Sequence, residues 1–244
     1  MRLTEEQVQV PGPGVGQTIR AVVLRPVGDR PWPGLLFYSD IFQLTPSTLR
    51  TARRLASAGF VLVAPEVYPH GELAGVALAF DDDGKRRGQA GADATSTASF
   101  DDDRDAVLSW LESRPDTAGA PRAVGFCLGG HLAFRAALDP RMVATACFYP
   151  TGLQDGKLGA DRADSLATAS DIRGALMLVF GSRDPHVPAV ARQRVLAELE
   201  RQGIEPEVHV YAGEHAFMRD EGPRHDPALT DAALAAAVAF LVRA

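Results

Sequence analysis

Apolar and polar positions along the chain alternate between two rhythms. Short apolar or β-branched runs bounded by turn residues occur at Ile19–Leu24, Gly34–Tyr38, Val61–Ala64, Ala123–Phe126, Met142–Phe148, Ala175–Phe180 and Glu207–Tyr211. Their length and boundaries predict strands. Helical periods fill the intervals at Thr48–Ser57, Asp102–Ser113, Leu128–Leu138 and Val187–Gln202, and an Ala-rich segment, Pro227–Val242, closes the chain. Strand alternating with helix predicts an α/β fold, a mostly parallel sheet covered on both faces. The first forty residues hold two strand-like pieces with no helix between them. The sheet is therefore expected to open with an antiparallel hairpin turning at Pro11-Gly12-Pro13-Gly14.

Two stretches break the rhythm. From Glu66 to about Ser99 the chain is rich in Gly, Ala, Asp and Ser and shows no sustained period. A long excursion of this kind reads as a functional loop or lid. Thr151–Ser170 reads as a second surface excursion. No internal repeat or linker divides the chain, so a single domain spanning residues 1–244 is expected.

Composition narrows the function classes. With 46% hydrophobic and 23% charged residues, the chain can build an ordinary packed core. A net charge of -6 with no dense Lys/Arg run lacks the basic footprint of a nucleic-acid binder, and an anionic membrane is an equally poor partner. The start, Met-Arg-Leu-Thr-Glu-Glu-Gln-Val, is polar where a signal peptide needs an apolar core. No apolar run approaches the roughly 18 residues of a membrane span, and a cytoplasmic protein is expected. Cys127 and Cys147 are the only cysteines, too few for a disulfide scaffold or a four-cysteine zinc site. Their contexts, a Gly-rich turn and the middle of an apolar run, argue against a bridge between them. The runs Asp81–Asp83 and Asp101–Asp103 cannot each turn all three side chains to one ion. They read as solvated turn and helix-start charges, and neither metal nor cofactor is expected.

The sharpest chemical signal is Val124-Gly125-Phe126-Cys127-Leu128-Gly129-Gly130-His131, where a β-rich run passes directly into a helical one. This is Gly-x-nucleophile-x-Gly at a strand-to-helix turn, the nucleophile elbow of α/β-hydrolases. Glycines are needed there because side chains two residues either side would collide with the neighbouring strand and helix. A thiol at a helix N-terminus is also favoured as thiolate by the helix dipole and the unpaired N–H groups of the first turn. A free cysteine in isolation reads as a small buried hydrophobe. The turn context outweighs that reading for Cys127, whereas Cys147, inside Thr145-Ala146-Cys147-Phe148-Tyr149, keeps it.

A thiol hydrolase needs a base and a carboxylate to orient it, and in this fold they follow the nucleophile in the order acid, histidine. After Ala175–Phe180 comes Gly181-Ser182-Arg183-Asp184-Pro185-His186-Val187-Pro188, which puts Asp184 in the turn at the carboxyl end of a strand. Active-site groups of parallel sheets gather at such ends, although Asp184 would also serve as a helix cap. Of the later histidines, His209 alternates inside a strand, His186 lies two residues from Asp184, and His225 sits in a polar loop. His215, in Gly213-Glu214-His215-Ala216-Phe217, follows the last strand by a few residues and can swing over the sheet edge. It is the preferred base, with His225 as the alternative.

The chain resembles the dienelactone hydrolases from about Val22 onward. Gly125–Gly130, Gly181–Pro188 and Gly213–Phe217 are similar to that family's nucleophile, acid and histidine turns, and Pro65-Glu66-Val67-Tyr68 resembles its Pro-Asp-Leu-Tyr. Tyr38-Ser39-Asp40-Ile41-Phe42 resembles a segment whose role would make the backbone N–H groups of Ile41 and Leu128 the oxyanion hole. The sequence departs from the family at Asp40, where the resemblance implies a glutamate that holds and deprotonates the resting thiol. Aspartate is one methylene shorter, so Asp40 either modulates the thiol through a shift or a water, or leaves His215 to act alone; a turn cap is the plain alternative.

The resemblance further implies arginines that meet a substrate carboxylate. Arg219 matches one, and Arg86 or Arg87 stands near the other, so an anionic ester or lactone is the expected partner, unless these are solvated surface charges. Phe42, Phe126 and Tyr149 are placed to line an apolar wall, or belong to the core. The expected activity is hydrolysis of a carboxylic ester or lactone through Cys127, Asp184 and His215 and an acyl-thioester. Two other classes stay open: a non-catalytic ligand-binding or thiol-redox-sensing module on the same scaffold, and a cysteine hydrolase directed at amides. Oligomeric state is not legible.

Overall fold

The structure, a computed structural model, describes residues 1–244. The chain runs through β1 (Leu3–Pro11), β2 (Thr18–Pro26), β3 (Gly34–Tyr38), α1 (Pro46–Ala56), β4 (Val61–Pro65), α2 (Asp82–Ala94), α3 (Thr97–Ser113), β5 (Arg122–Phe126) and α4 (Leu128–Ala137). It continues through β6 (Ala144–Phe148), the two-residue strands β7 (Lys157–Leu158) and β8 (Asp161–Arg162), β9 (Ala175–Gly181), α5 (Ala189–Arg201), β10 (Glu207–Tyr211) and α6 (Pro227–Arg243). The main sheet has eight strands in the order β1-β2-β4-β3-β5-β6-β9-β10. β1 and β2 pair antiparallel, as do β2 and β4, while every later pair is parallel. β7 and β8 form a separate minimal hairpin within the second excursion.

Alternation along the strands sorts the core into two layers. Leu36, Ala123, Cys147, Leu178 and Phe180 pack on one face with side chains of α3, α4 and α5. Leu35, Phe37, Val124, Phe126, Phe148 and Val179 pack on the other with side chains of α1 and α6. Each central strand is buried along its whole length, as a parallel sheet covered on both faces requires. Local signals start the helices where expected. Thr45 caps α1 by accepting from the Thr48 N–H at 3.2 Å, and Asp226 caps α6 by accepting from the Leu229 N–H at 3.0 Å, each with proline in the first turn. No helix is long and apolar enough to cross a membrane.

Three sequence expectations need correction. The hairpin forms around Gly12–Gln17, but its first strand, β1, was hidden because Leu3–Pro11 is mostly exposed at the sheet edge and carries Glu5, Glu6, Gln7 and Gln9. The stretch from Glu66 to Ser99 is not irregular throughout. It contains α2 and the first turn of α3. The period of α2 is one of size: its buried positions are Gly84, Gly88 and Ala92, four residues apart. An apolar-residue pattern cannot register such a stripe. Finally, Ser96 rather than an aspartate caps α3, so Asp101–Asp103 lie in its second turn, where Asp101 pairs with Arg104 and Arg135, and Asp103 with His70. Asp81 does cap α2, accepting from the Gly84 N–H at 2.8 Å.

The small stripe lets α2 lie directly on the loop after β3. A Cβ built at Gly88 would stand 2.4 Å from the Ile41 carbonyl oxygen, and the Tyr68 hydroxyl donates to the Gly88 carbonyl at 2.8 Å. Helix propensity alone makes Gly88→Ala stabilising by about 1 kcal/mol, whereas the clash makes it destabilising by about 1–3 kcal/mol. The clash should prevail: we expect thermal unfolding of Gly88→Ala to shift down by roughly 2–8 °C, and an upward shift would disprove the close packing.

Candidate active site

The turn between β5 and α4 is closed by contacts that leave no room for side chains. A Cβ at Gly125 would lie 1.9 Å from the Gly129 carbonyl oxygen, and one at Gly129 would lie 2.2 Å from that of Ser39. Cys127 between them adopts φ +59°, ψ -119°, a conformation rare for a residue with a side chain. Its N–H donates to the Phe148 carbonyl at 3.0 Å, and its own carbonyl accepts from Gly130 and His131 in the first turn of α4. The sulfur is thus fixed at the positive end of a helix.

Asp184 leaves the end of β9 with a fully buried side chain. One carboxylate oxygen accepts from the backbone N–H groups of His186 and Val187 at 2.7 and 3.2 Å, and the other accepts from His215 Nδ1 at 2.7 Å. Because an ionised carboxylate only accepts, Nδ1 carries the proton and Nε2 is directed at the sulfur, 3.2 Å from Cys127 Sγ. Burial by itself would raise the Asp184 pKa, yet the hydrogen bond and charge of His215 and the two amides hold it below the usual carboxylate range. Burial likewise would lower His215. The negative sulfur and the Asp184 carboxylate more than offset it and raise His215 to about 9. Tyr149 packs its ring edge-on to His215 at 5.1 Å and His186 does so at 4.6 Å.

The remaining histidines past α4 stand elsewhere: His209 bonds Glu207 and stacks on Tyr211, and His225 bonds the Phe217 carbonyl. Cys127, Leu128 and Ile41 line one large cavity of about 640 Å³ together with His215, Thr151 and Phe42. Leu128 opens α4, so its N–H has no acceptor within the helix. Asp40 uses one oxygen to accept from the Phe42 N–H at 2.9 Å and the other to accept from Arg219 Nη2 at 2.5 Å. Both its hydrogen bonds close a turn and an ion pair, and neither goes to Cys127. Arg219 lies over the edge-on pair of Phe42 and Phe80, at 4.7 and 4.4 Å from their ring centres.

Arg86 and Arg87 are not brought to this cavity. Arg86 is exposed and paired with Asp83, while α2 turns Lys85 and Gln89 to the wall instead. The helical register of α2, unseen in the sequence, decides which basic residue faces inward. Tyr149 and Phe126 line a smaller pocket behind, with Asp40 and Arg219, rather than the cavity itself. Thr151, whose Oγ1 lies 4.0 Å from Cys127 Sγ, has no signature in the sequence because its segment has no period. His186 was visible but set aside for its closeness to Asp184 in the chain.

Residues 19–244 match the profile of the dienelactone hydrolase family. A Saccharomyces cerevisiae protein provisionally described as a carboxymethylenebutenolidase is 35% identical over 231 residues, covering 90% of this chain and 84% of its own. Carboxymethylenebutenolidase 1 of Cupriavidus pinatubonensis is 30% identical over 220 residues, covering 86% of this chain and 85% of its own. A crystal structure from Klebsiella pneumoniae, provisionally described as a dienelactone hydrolase, superposes with a TM-score of 0.86 at 21% identity, covering 100% of both chains. At that identity the likeness establishes the fold, which is the α/β-hydrolase fold.

The two thiols differ sharply in surroundings. Cys127 faces the cavity, whereas Cys147 has no exposed surface and burial pushes its thiol far up. In the native protein iodoacetamide should label Cys127 alone, as read by peptide mass mapping, and Cys147 should react only after denaturation. Native labelling of Cys147 would contradict the burial described here.

Proposed function

The chain belongs to the dienelactone hydrolase family, and we propose that it hydrolyses a carboxylic ester or lactone with Cys127 as nucleophile, His215 as base and then acid, and Asp184 as its orienting carboxylate. The observation that carries this reading is the continuous line from Cys127 Sγ through His215 to Asp184, with links of 3.2 and 2.7 Å, opening on a cavity of about 640 Å³ at a helix N-terminus.

In this mechanism the sulfur attacks the carbonyl carbon and the developing oxyanion is met by the backbone N–H groups of Leu128 and Ile41, each such donor being worth roughly 10²–10³ in rate. His215 gives its proton to the leaving alkoxide, releasing it and leaving an acyl-thioester on Cys127. Water, its proton taken by His215, then attacks the thioester and restores the thiol. For a lactone the leaving alkoxide stays tethered, so only the second step releases product.

A redox-sensing role has less support, because Cys147 packs in the core layer on the opposite face of the sheet from Cys127 and offers no resolving thiol. Two unpaired cysteines accord with a reducing, cytoplasmic setting. The preference for an anionic substrate loses its second arm with Arg86 and Arg87 outside the cavity. Arg219 is already paired through Nη2 with Asp40, so a substrate carboxylate would share its charge with that partner.

A panel of small esters and lactones tests the assignment directly. Turnover should vanish in Cys127→Ala and after alkylation, and survive in Cys147→Ala; loss in the Cys147 variant would overturn the choice of nucleophile. The pH profile tests His215. Its proton affinity is raised, so the acid form needed for the leaving group persists through neutrality and is lost as pH rises through about 9. We expect kcat/KM to fall on that alkaline side, and the fall to begin at lower pH in Asp184→Asn, which removes one support of the imidazolium. An unmoved limb would sink the assignment of Asp184.

A further inference from the structure

His131 is a buried titratable group with no part in the mechanism above. It sits in the first turn of α4, four residues past Cys127, with no exposed surface. Burial holds its pKa down to about 4, the Thr151 carbonyl opposing and the nearby Arg135 charge adding to that shift, so the ring is neutral at neutral pH. A neutral imidazole has one donor and one acceptor, and its partners dictate which nitrogen is which.

The direction of the chain of hydrogen bonds is forced. Arg135 can only donate, and its Nη1 lies 3.1 Å from the buried Ser165 Oγ. Ser165 Oγ, 2.9 Å from His131 Nε2, therefore has its single proton free to give to that nitrogen. Nδ1 must then carry the ring proton, and it donates to the Thr151 carbonyl at 3.0 Å. The N–H of Thr151 in turn donates to the Cys127 carbonyl at 3.3 Å. Arg135 is itself anchored by Asp101 and Asp164.

What this chain holds is a strained segment. Thr151 stands before a turn at Gly152 whose φ of +72° glycine adopts freely. Two residues before Thr151, Tyr149 has φ +37°, which its side chain disfavours, and its N–H is bonded to the Val179 carbonyl at 2.6 Å. Such a backbone persists only where its surroundings over-determine it. The segment carries Tyr149 against His215 and brings Thr151 Oγ1 to 4.0 Å from Cys127 Sγ, the outer limit of a hydrogen bond to sulfur. A thiolate can only accept, so there the hydroxyl is the donor.

We propose that Thr151 supplies a second hydrogen-bond donor to the Cys127 thiolate, complementary to His215, and that His131 is the positioning residue that aims it. The roles at the sulfur rest on the hydrolase reading. The thiolate would otherwise rely on His215 alone among side chains, since Asp40 and Arg219 are paired with each other. Tyr68 and Tyr149, also near the sulfur, have their pKa raised by burial and remain neutral, and His186, Lys85 and Arg224 share the cavity with it.

Alkylation by iodoacetamide reads the thiol whether or not any ester is turned over, so this test stands even if the hydrolase reading fails. On the acid limb of the pH profile, where the thiolate fraction limits the rate, Thr151→Val should be about two- to tenfold slower than the native protein, the size of one hydrogen bond. Thr151→Ser should restore the rate. His131→Leu should match Thr151→Val, while His131→Asn, whose amide N–H can replace Nδ1–H, should stay near native. On an accepted ester, kcat should fall in Thr151→Val with KM little changed. Equal acid-limb rates in the native protein and Thr151→Val, or a Thr151→Ser variant as slow as Thr151→Val, would overturn the proposal. If His131→Leu does not fold, the two Thr151 variants still decide whether the hydroxyl acts, and His131→Asn decides who aims it: a folded Asn variant as slow as Thr151→Val would remove His131 from that role.

Discussion

The burial of one carboxylate organises the site. Asp184 has no exposed side-chain surface, and an uncompensated charge there would cost several kcal/mol. Its oxygens are met by three donors, two from its own turn and one from His215. The turn amides come from residues two and three positions on, so they fix the carboxylate to the end of β9. The third donor comes from beyond β10 and ties the last strand's loop to it. Satisfying Asp184 therefore determines both the tautomer and the direction of the imidazole, and the Cys127 sulfur is where Nε2 then points.

The same economy governs the other side of the sulfur. Gly125 and Gly129 let β5, α4 and the loop after β3 meet at distances that exclude a methyl group, and this contact sets Ser39 through Ile41 beside Cys127. Asp40 then stabilises that loop from within by accepting the Phe42 N–H, and from without by pairing with Arg219. A carboxylate that the sequence alone reads as modulating the thiol or capping a turn caps the turn and holds the wall.

Much of this was legible in the chain. Strands such as Val61–Pro65 and Ala175–Gly181 announce themselves because they are buried on both faces, and Cys127, Asp184 and His215 because a tight turn, a strand end and a short Gly-containing loop each constrain residue type locally. What escaped depends on partners distant in sequence. β1 shows an apolar pattern only at Val8 and Val10, and along the rest of its length its partner β2 holds it. α2 shows none because it packs by being small. Arg86 and Lys85 are adjacent in the chain, and only the register of a helix against a loop separates the one that reaches solvent from the one that reaches the cavity. Thr151 and His131 are joined by a carbonyl, which carries no side-chain signature.

The two-sided character of α2 bears on how this protein can change over generations. Two of its inward positions are constrained by backbone: a Cβ at Gly84 would stand 1.9 Å from the Ala79 carbonyl oxygen, and one at Gly88 would stand 2.4 Å from that of Ile41. Lys85 and Gln89, one residue further along the helix in each turn, face the cavity and are otherwise exposed. Mutations at the second set alter what the cavity admits while leaving the packing of the first untouched. Close packing and cavity lining thus fall on neighbouring positions of one helix, so the lining can drift while the contact at Gly88 stays fixed.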